Sequence, residues 1–193
     1  MPHSQLAPRR WAALLAGICV SLSACTDTAP TPPTTPTHHA HGGAVLRSKD
    51  LSPEILRELA QLRARTAAFH DSSTAARAGW NKRLTDCFSD SVLGGMGFHY
   101  GNPSLIDGTP DAMQPEILLF EPLKNGQVRF VAVEYAVPFG AWTAPEPPKL
   151  FGQYFHRNED FGLWILHVWQ FDDNPSGIFT DWNPRVSCAN ATS

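Results

Sequence analysis

The segment from Gly162 to Phe171 is apolar on both faces when it is read with the two-residue period of a β-strand. One face consists of Leu163, Ile165, His167 and Trp169, and the other of Trp164, Leu166, Val168 and Gln170. A strand with two apolar faces belongs in the middle of a covered sheet. The segment therefore predicts a central strand that carries the imidazole of His167 into the protein interior.

Two further predicted strands each carry an ionisable side chain among apolar residues. His99 lies in a short extended segment, and Glu134 follows Phe130 and Ala132 on one face of its strand. A buried polar group without a partner costs about 1–3 kcal/mol, so we expect His99, Glu134 and His167 to meet in one site. Two imidazoles and one carboxylate can bind Zn²⁺ with an open fourth position, or Fe²⁺ on one triangular face.

His70, at the junction of two predicted helices, is the candidate fourth ligand of this site. The candidate ions are zinc, iron and copper. No local motif such as His-Glu-x-x-His links these residues, so the hypothesis depends on their convergence in three dimensions. In the structural alternative, Glu134 pairs with Arg129 or Arg185 and each histidine is an ordinary core or surface residue.

The N-terminus has the pattern of an exported lipoprotein. Arg9-Arg10 precede an apolar stretch that is short for a membrane span, and the stretch ends in Leu22-Ser23-Ala24-Cys25. This ending resembles the lipobox of bacterial lipoproteins, in which the cysteine is lipidated. The resemblance implies that residues 1–24 are a signal peptide and that Cys25 anchors an extracytoplasmic protein to a membrane. Thr26 favours the outer membrane if the host is Gram-negative, because inner-membrane lipoproteins often carry aspartate there.

The chain after Cys25 divides into a linker and a domain. Residues 25–50 are rich in Pro, Thr and His and predict an extended spacer, and residues 51–193 predict a single globular domain. His38, His39 and His41 lie in the spacer, where two interpretations stay open: a weak metal-binding tract and incidental histidines in a solvated linker.

The cysteines and the charge restrict the compartment and the partners. Of 4 cysteines, Cys19 leaves with the signal peptide and Cys25 is lipidated, so Cys87 and Cys188 remain. In an oxidising compartment this pair predicts a disulfide, and two free or metal-binding thiols are the alternative. The formal net charge is −3 and no basic patch stands out, which argues against nucleic acid as a partner.

Helical signals come first in the domain and strand signals follow. Ser52-Pro53-Glu54 predicts a helix start that leads to a helix ending near Ala68, and Asp71 or Ser72 can cap a second, short helix. Asn125-Gly126 lies between two apolar runs, residues 116–121 and 128–137, and predicts a β-hairpin. This order predicts an α+β fold in which an N-terminal helical pair packs on a mainly antiparallel β-sheet.

Several segments together resemble a family of exported bacterial proteins, or lipoproteins, of unassigned function. They are Met96-Gly97-Phe98-His99-Tyr100, Val131-Ala132-Val133-Glu134-Tyr135, Leu166-His167-Val168-Trp169, and the ending Asn174-Pro175-Ser176-Gly177, Asp181-Trp182-Asn183-Pro184 and Cys188. The resemblance covers about residues 69–188. It implies export and a domain boundary, and it implies no activity.

Three functional hypotheses follow from the sequence, and the third is a structural lipoprotein with no pocket. The first is a lipid-anchored extracytoplasmic domain with a His/Glu site for a divalent transition metal, acting as a hydrolase or an oxidoreductase if it is an enzyme. The second is a non-catalytic module that binds a small apolar ligand or a cell-envelope component at a rim of Trp142, Phe179 and Trp182. The chain has no Gly-x-Ser-x-Gly elbow, phosphate loop or dinucleotide fingerprint, so the sequence does not specify a reaction.

Overall fold

The computed structural model describes residues 46–192. The predicted signal peptide, the predicted lipidation site Cys25 and the predicted spacer up to residue 45 lie outside the described residues. Within the described part of the chain, no helix has the length and apolar character needed to cross a membrane.

The two α-helices precede all of the strands. The helical segments are α1 (Pro53–Thr66), α2 (Ser72–Arg77) and three 3₁₀ segments, Ser48–Asp50, Ala67–His70 and Phe139–Ala141. The strands are β1 (Lys82–Arg83), β2 (Phe88–Asp90), β3 (Gly94–Gly101), β4 (Ile117–Pro122), β5 (Val128–Pro138), β6 (Lys149–Leu150), β7 (Gln153–Tyr154), β8 (His156–Asn158) and β9 (Leu163–Val168).

Both α-helices begin at the residues that the capping signals predict. The Ser52 hydroxyl accepts a hydrogen bond from the backbone N–H of Ile55, and Pro53 is the first helical residue of α1. The Asp71 carboxylate caps α2 by accepting from the N–H of Ser73. α1 ends at Thr66, slightly earlier than predicted, and a 3₁₀ turn continues the chain to His70.

Seven strands form an antiparallel sheet in the order β1-β3-β4-β5-β9-β8, with β2 also paired to β3. The predicted hairpin is present as β4 and β5, and Gly126 adopts the positive φ of 75° that its turn requires. The predicted α+β class, with N-terminal helical structure packed on a mainly antiparallel sheet, is therefore confirmed.

The core has two parts, one on each face of the sheet. The helical-face cluster includes Leu59, Leu62, Ala75, Trp80, Leu118, Phe120, Phe130, Val133, Tyr135, Leu166 and Val168. The tail-face cluster consists of Ile117, Leu119, Val131, Ala132, Ala136, Ile165, Trp169 and Val186. The last of these comes from the C-terminal tail, residues 172–192, whose Ile178 and Phe179 pack instead against the helical-face cluster.

The β9 segment is buried on both faces, as its pattern predicts. Leu166 and Val168 join the helical-face cluster, whereas Ile165 and Trp169 join the tail-face cluster. β9 lies between β5 and β8, so it has a hydrogen-bonded neighbour on each side. His167 alternates with residues of the tail-face cluster and is directed to that face.

A β-bulge corrects one prediction about β5. Phe120 pairs with Phe130 and Leu119 pairs with Ala132, so Val131 is an extra residue in the ladder. Phe130 consequently packs in the helical-face cluster, not on the face of Ala132 and Glu134 as strict alternation predicted. Alternation resumes after the bulge, and Glu134 keeps its predicted face.

The predicted disulfide between Cys87 and Cys188 is present, with a Cα–Cα distance of 5.7 Å. It joins the segment between β1 and β2 to the C-terminal tail. The two cysteines are 101 residues apart, and a bridge across so long a loop stabilises the fold by on the order of 4–5 kcal/mol in the loop-entropy description.

Candidate metal centre

Three strands bring His99, Glu134 and His167 to one place on the tail face of the sheet. Glu134 of β5 and His167 of β9 are direct cross-strand partners. His99 of β3 pairs with Leu119 of β4, which in turn pairs with Ala132, two residues before Glu134. Because residues two apart on a strand share a face, this register directs all three side chains to the same side.

The donor atoms of the three side chains surround a common point. Glu134 Oε2 lies 3.5 Å from His99 Nε2 and 3.9 Å from His167 Nε2. One ligand atom from each residue lies within 4.8 Å of the other two. Two donors bound to the same zinc ion at about 2.0–2.2 Å lie roughly 3–3.5 Å apart, and the two Glu134–histidine distances are close to this separation.

The group is buried and incompletely hydrogen-bonded. The side chains of His99, Glu134 and His167 are 6%, 6% and 1% exposed. Glu134 Oε2 and His167 Nε2 have no hydrogen-bond partner. An unsatisfied buried polar atom costs about 1–3 kcal/mol, and a cation between the three donors would satisfy both of these atoms at once.

Burial is the main cause of the pKa shifts of His99 and Glu134. Burial, reinforced by the nearby His167, lowers the pKa of His99 to about 3, so its imidazole is in the neutral form that binds metals. Burial raises the pKa of Glu134 and outweighs the opposing effect of His167, and Asp181 adds to the increase. A divalent ion would favour the ionised carboxylate.

Each histidine of the group is held through its other ring nitrogen. Asp181 Oδ1 lies 3.1 Å from His167 Nδ1, and Thr85 Oγ1 lies 3.1 Å from His99 Nδ1. These contacts direct both Nε2 atoms toward Glu134. A hydrogen-bonded Nδ1, often to a carboxylate, is the usual second-sphere arrangement of metal-binding histidines.

Asp181 also connects the site to the surface. Its Oδ2 lies 3.2 Å from Nε2 of His156, whose side chain is 25% exposed. Burial alone would raise the pKa of Asp181, but hydrogen bonds from His156 and His167 outweigh it and hold the pKa far below its usual range. The same carboxylate and that of Glu134 raise the pKa of His167 against the opposing effect of burial.

The structural alternative for Glu134 does not hold. Arg129 pairs with Glu121 and Asp172, and Arg185 pairs with Asp173, so both arginines have other carboxylate partners. His99 and His167 each contact a polar side chain through Nδ1, which fits both a core histidine and a metal ligand.

His70 is not brought to this group. Its ring packs edge-on against Phe130 and Phe171, both of which belong to the helical-face packing, and the residue is exposed. The 3₁₀ turn that contains His70 follows α1 on the opposite side of the sheet from Glu134. Among the described residues, the converging ligand set is therefore His99, Glu134 and His167.

The three aromatic residues predicted as a ligand rim each have contacts within the fold. Phe179 stacks on Phe151, and Trp142 donates through Nε1 to the carbonyl of Glu146. The carbonyl of Trp182 accepts from the Asn174 side chain. Two surface cavities are lined by other residues: one by a set that includes Arg47, Trp169 and Arg185, the other by Leu105, Asp107, Thr109, Asp111, Gln114 and Glu116.

The supporting residues Thr85, Asp181 and His156 were not predicted as part of the site. Each lies in a short strand or an irregular segment, without a spacing that connects it to His99 or His167. The one available signal was an acid, Asp181, in an aromatic-rich loop next to a predicted disulfide.

Comparisons of the chain with protein-family models, with curated proteins and with solved structures gave no match. Functional inference therefore proceeds from the geometry of the site.

Proposed function

We propose that this domain binds a divalent transition metal through His99 Nε2, Glu134 Oε2 and His167 Nε2. The observation that carries the proposal is the pair of buried atoms without partners, Glu134 Oε2 and His167 Nε2, in a group whose donors lie within 4.8 Å. The Nδ1 contacts to Thr85 and Asp181 add the outer support that such a site needs.

The donor set limits the choice of ion. Two imidazoles and one carboxylate suit Zn²⁺, and the same set with more open positions suits Fe²⁺. Cu²⁺ is the third candidate, because it binds nitrogen and oxygen donors tightly but favours tetragonal geometry. The oxygen-rich shells that Ca²⁺ and Mg²⁺ require are not matched by this set.

Three protein donors leave at least one coordination position for an external ligand. The burial of the site restricts the size of that ligand. The ring of Phe88 packs edge-on against His99 at 5.6 Å, and Phe161, 54% exposed, lies 6.4 Å from Phe88. With donors only 1–6% exposed, the external ligand in our proposal is a small molecule such as water, not a polymer. A metal-dependent hydrolase or oxidoreductase of small substrates is consistent with this arrangement.

We further propose that the domain works outside the cytoplasm on a lipid anchor at Cys25. The Cys87–Cys188 bridge supports the compartment, because stable disulfides are rare in most cytosolic proteins. Radiolabelled palmitate incorporation in the bacterial host, lost on Cys25→Ala, would test the anchor.

The metal proposal is tested by elemental analysis of the purified full chain, carrying His38→Ala, His39→Ala and His41→Ala to remove the linker imidazoles. We expect about one equivalent of Zn²⁺ or Fe²⁺ as isolated, or after addition of the metal to the stripped protein. The near-isosteric change Glu134→Gln should lower the affinity at least about 100-fold by removing the anionic donor, whereas Glu58→Gln on the exposed side of α1 should not. Failure of the linker variant to bind any of these metals would refute the proposal.

A further inference from the structure

The disulfide joins the two chain segments that hold the imidazoles of the proposed metal centre. Thr85, which contacts His99 Nδ1, lies just before Cys87 in the connection between β1 and β2. Asp181, which contacts His167 Nδ1, lies in the tail that leads to Cys188. One covalent bond therefore ties together the two segments that position the site.

The segment on the Cys87 side is otherwise weakly held. β1 ends at Arg83 and β2 begins at Phe88, so Thr85 lies in a gap between two short edge strands. The backbone N–H of Leu84 donates to the carbonyl of His99 on one side of the gap, and Phe88 pairs with Gly97 on the other. An edge segment with few ladder bonds opens at low free energy, and a covalent tie restricts that opening.

The tail has its own contacts but depends on the same tie near its end. Asn183 exchanges backbone hydrogen bonds with Gly95, and the N–H of Ser187 donates to Glu121. Asp181 precedes these contacts and has a side chain that is 30% exposed. Trp169 donates to the carbonyls of Ile178 and Thr180 just before Asp181, so the disulfide acts on Asp181 from the C-terminal side, through residues 182–188.

We propose that the Cys87–Cys188 disulfide controls metal retention, so that the centre holds its ion tightly when the bridge is formed and loosely when it is reduced. This inference rests on the proposed metal-binding function. The reductant is a dithiol, which transfers two electrons and two protons: the S–S bond breaks, Cys87 and Cys188 become thiols, and the dithiol becomes a disulfide. Both cysteines are partly exposed, which gives such a reductant access.

Loss of the tie weakens metal binding because it loosens the Nδ1 contacts. Thr85 and Asp181 then spend less time in hydrogen bonds to the imidazoles, and the two Nε2 atoms are no longer fixed toward Glu134. Loss of second-sphere partners typically costs 10–100-fold in metal affinity. We expect a decrease of at least about 10-fold on reduction.

The experiment measures the Zn²⁺ dissociation constant of the linker variant by competition with a chromophoric chelator. The bridge is removed by Cys87→Ser together with Cys188→Ser, which leaves no thiol at either position. The matched control is Leu59→Ala, which destabilises the helical-face cluster, on the other side of the sheet from His99, Glu134 and His167. We expect weaker binding for the serine pair and unchanged binding for Leu59→Ala in samples that are folded by circular dichroism.

A second measurement uses the wild-type cysteines and does not depend on the folding of a variant. Because coupling is reciprocal, saturation with Zn²⁺ should lower the reduction potential of the disulfide by about 30 mV for each tenfold difference in affinity. His167→Ala, which lacks one metal ligand, should remove this shift.

The outcomes separate the two proposals. If the bridged linker variant binds no metal, the proposed function fails and this inference fails with it. If that protein binds metal but neither the serine pair nor the reduction potential responds, the inference is overturned and the proposed function stands.

Discussion

The residues that define this molecule are ionisable side chains placed in apolar strands. His99, Glu134 and His167 meet one another, and each therefore compensates part of the cost of burying the others. Glu116 is another buried ionisable residue, outside this group. Its burial is compensated by a backbone hydrogen bond, since its Oε2 accepts from the N–H of Ala136. Burial raises the pKa of Glu116 to about 8, so its carboxyl group is mostly protonated at neutral pH.

Glu116→Gln should make the protein less sensitive to rising pH. Folded Glu116 keeps its proton up to about pH 8, whereas the unfolded chain loses it near 4.5, so the folded state binds more protons in this window. The contribution of Glu116 to the free energy of unfolding is therefore fully present below pH 4.5 and is lost as the pH rises toward 8. Glutamine keeps an acceptor for Ala136 and does not ionise, so we expect the variant to gain at least about 1.4 kcal/mol over wild type between these limits.

Urea denaturation at the two ends of this pH window measures the effect. Glu58→Gln on the surface of α1 is the control for loss of a carboxylate, and its stability should follow that of wild type. Parallel pH curves for Glu116→Gln and wild type would contradict the assignment of a buried, protonated carboxyl group.

At the scale of elements, the C-terminal tail and the start of β3 form one structural unit. Gly95 exchanges backbone hydrogen bonds with Asn183, and a Cβ atom on Gly95 would lie 2.7 Å from the carbonyl oxygen of Val186. The glycine is needed because two backbones approach closely there. This approach holds the tail, and with it Asp181, on the face that carries the metal centre.

Gly95→Ala should displace the tail and weaken the site without touching a ligand. The added methyl group forces the tail outward, so we expect a loss of about 1–3 kcal/mol in the free energy of unfolding. Displacement of Asp181 should also weaken Zn²⁺ binding about 10-fold or more.

Gly140→Ala is the matched control, because a Cβ atom there has no neighbour within 4 Å. Chelator competition and chemical denaturation of both variants give the two quantities. If Gly95→Ala binds Zn²⁺ as tightly as Gly140→Ala does, the tail does not support metal binding.

At the scale of the whole molecule, the proposed ion would connect strands that are distant in the chain. His99, Glu134 and His167 come from β3, β5 and β9. The disulfide links the connection between β1 and β2 to the C-terminal tail. A ligand that binds only the folded state stabilises all of these elements together, because they are lost together on unfolding.

Metal binding should therefore raise the melting temperature of the linker variant. A concentration of about 100 times the dissociation constant contributes about 2.7 kcal/mol, which corresponds to roughly 5–10 °C for a chain of this size. His167→Ala should abolish the increase. His70→Ala should retain it, because His70 packs on Phe130 and Phe171 on the other face. Differential scanning calorimetry with and without Zn²⁺ measures the melting temperature of both variants. If His70→Ala also lost the increase, His70 would be a metal ligand after all.

The local patterns of the sequence predicted several of the elements and the three buried residues His99, Glu134 and His167. Ser52-Pro53 predicted the start of α1, Asn125-Gly126 predicted the hairpin of β4 and β5, and the two apolar faces of β9 predicted a central strand. These features are readable because capping, turn conformation and side-chain alternation depend on residues close in the chain.

Tertiary structure alone decided how these elements complete the site. The bulge at Val131 moved Phe130 to the helical face, the turn after α1 placed His70 away from Glu134, and the path of the tail brought Asp181 to His167. Such contacts join residues that are far apart in the chain, and their choice depends on strand register and on which segment covers which face. Those are properties of packing, to which no local spacing of residues corresponds.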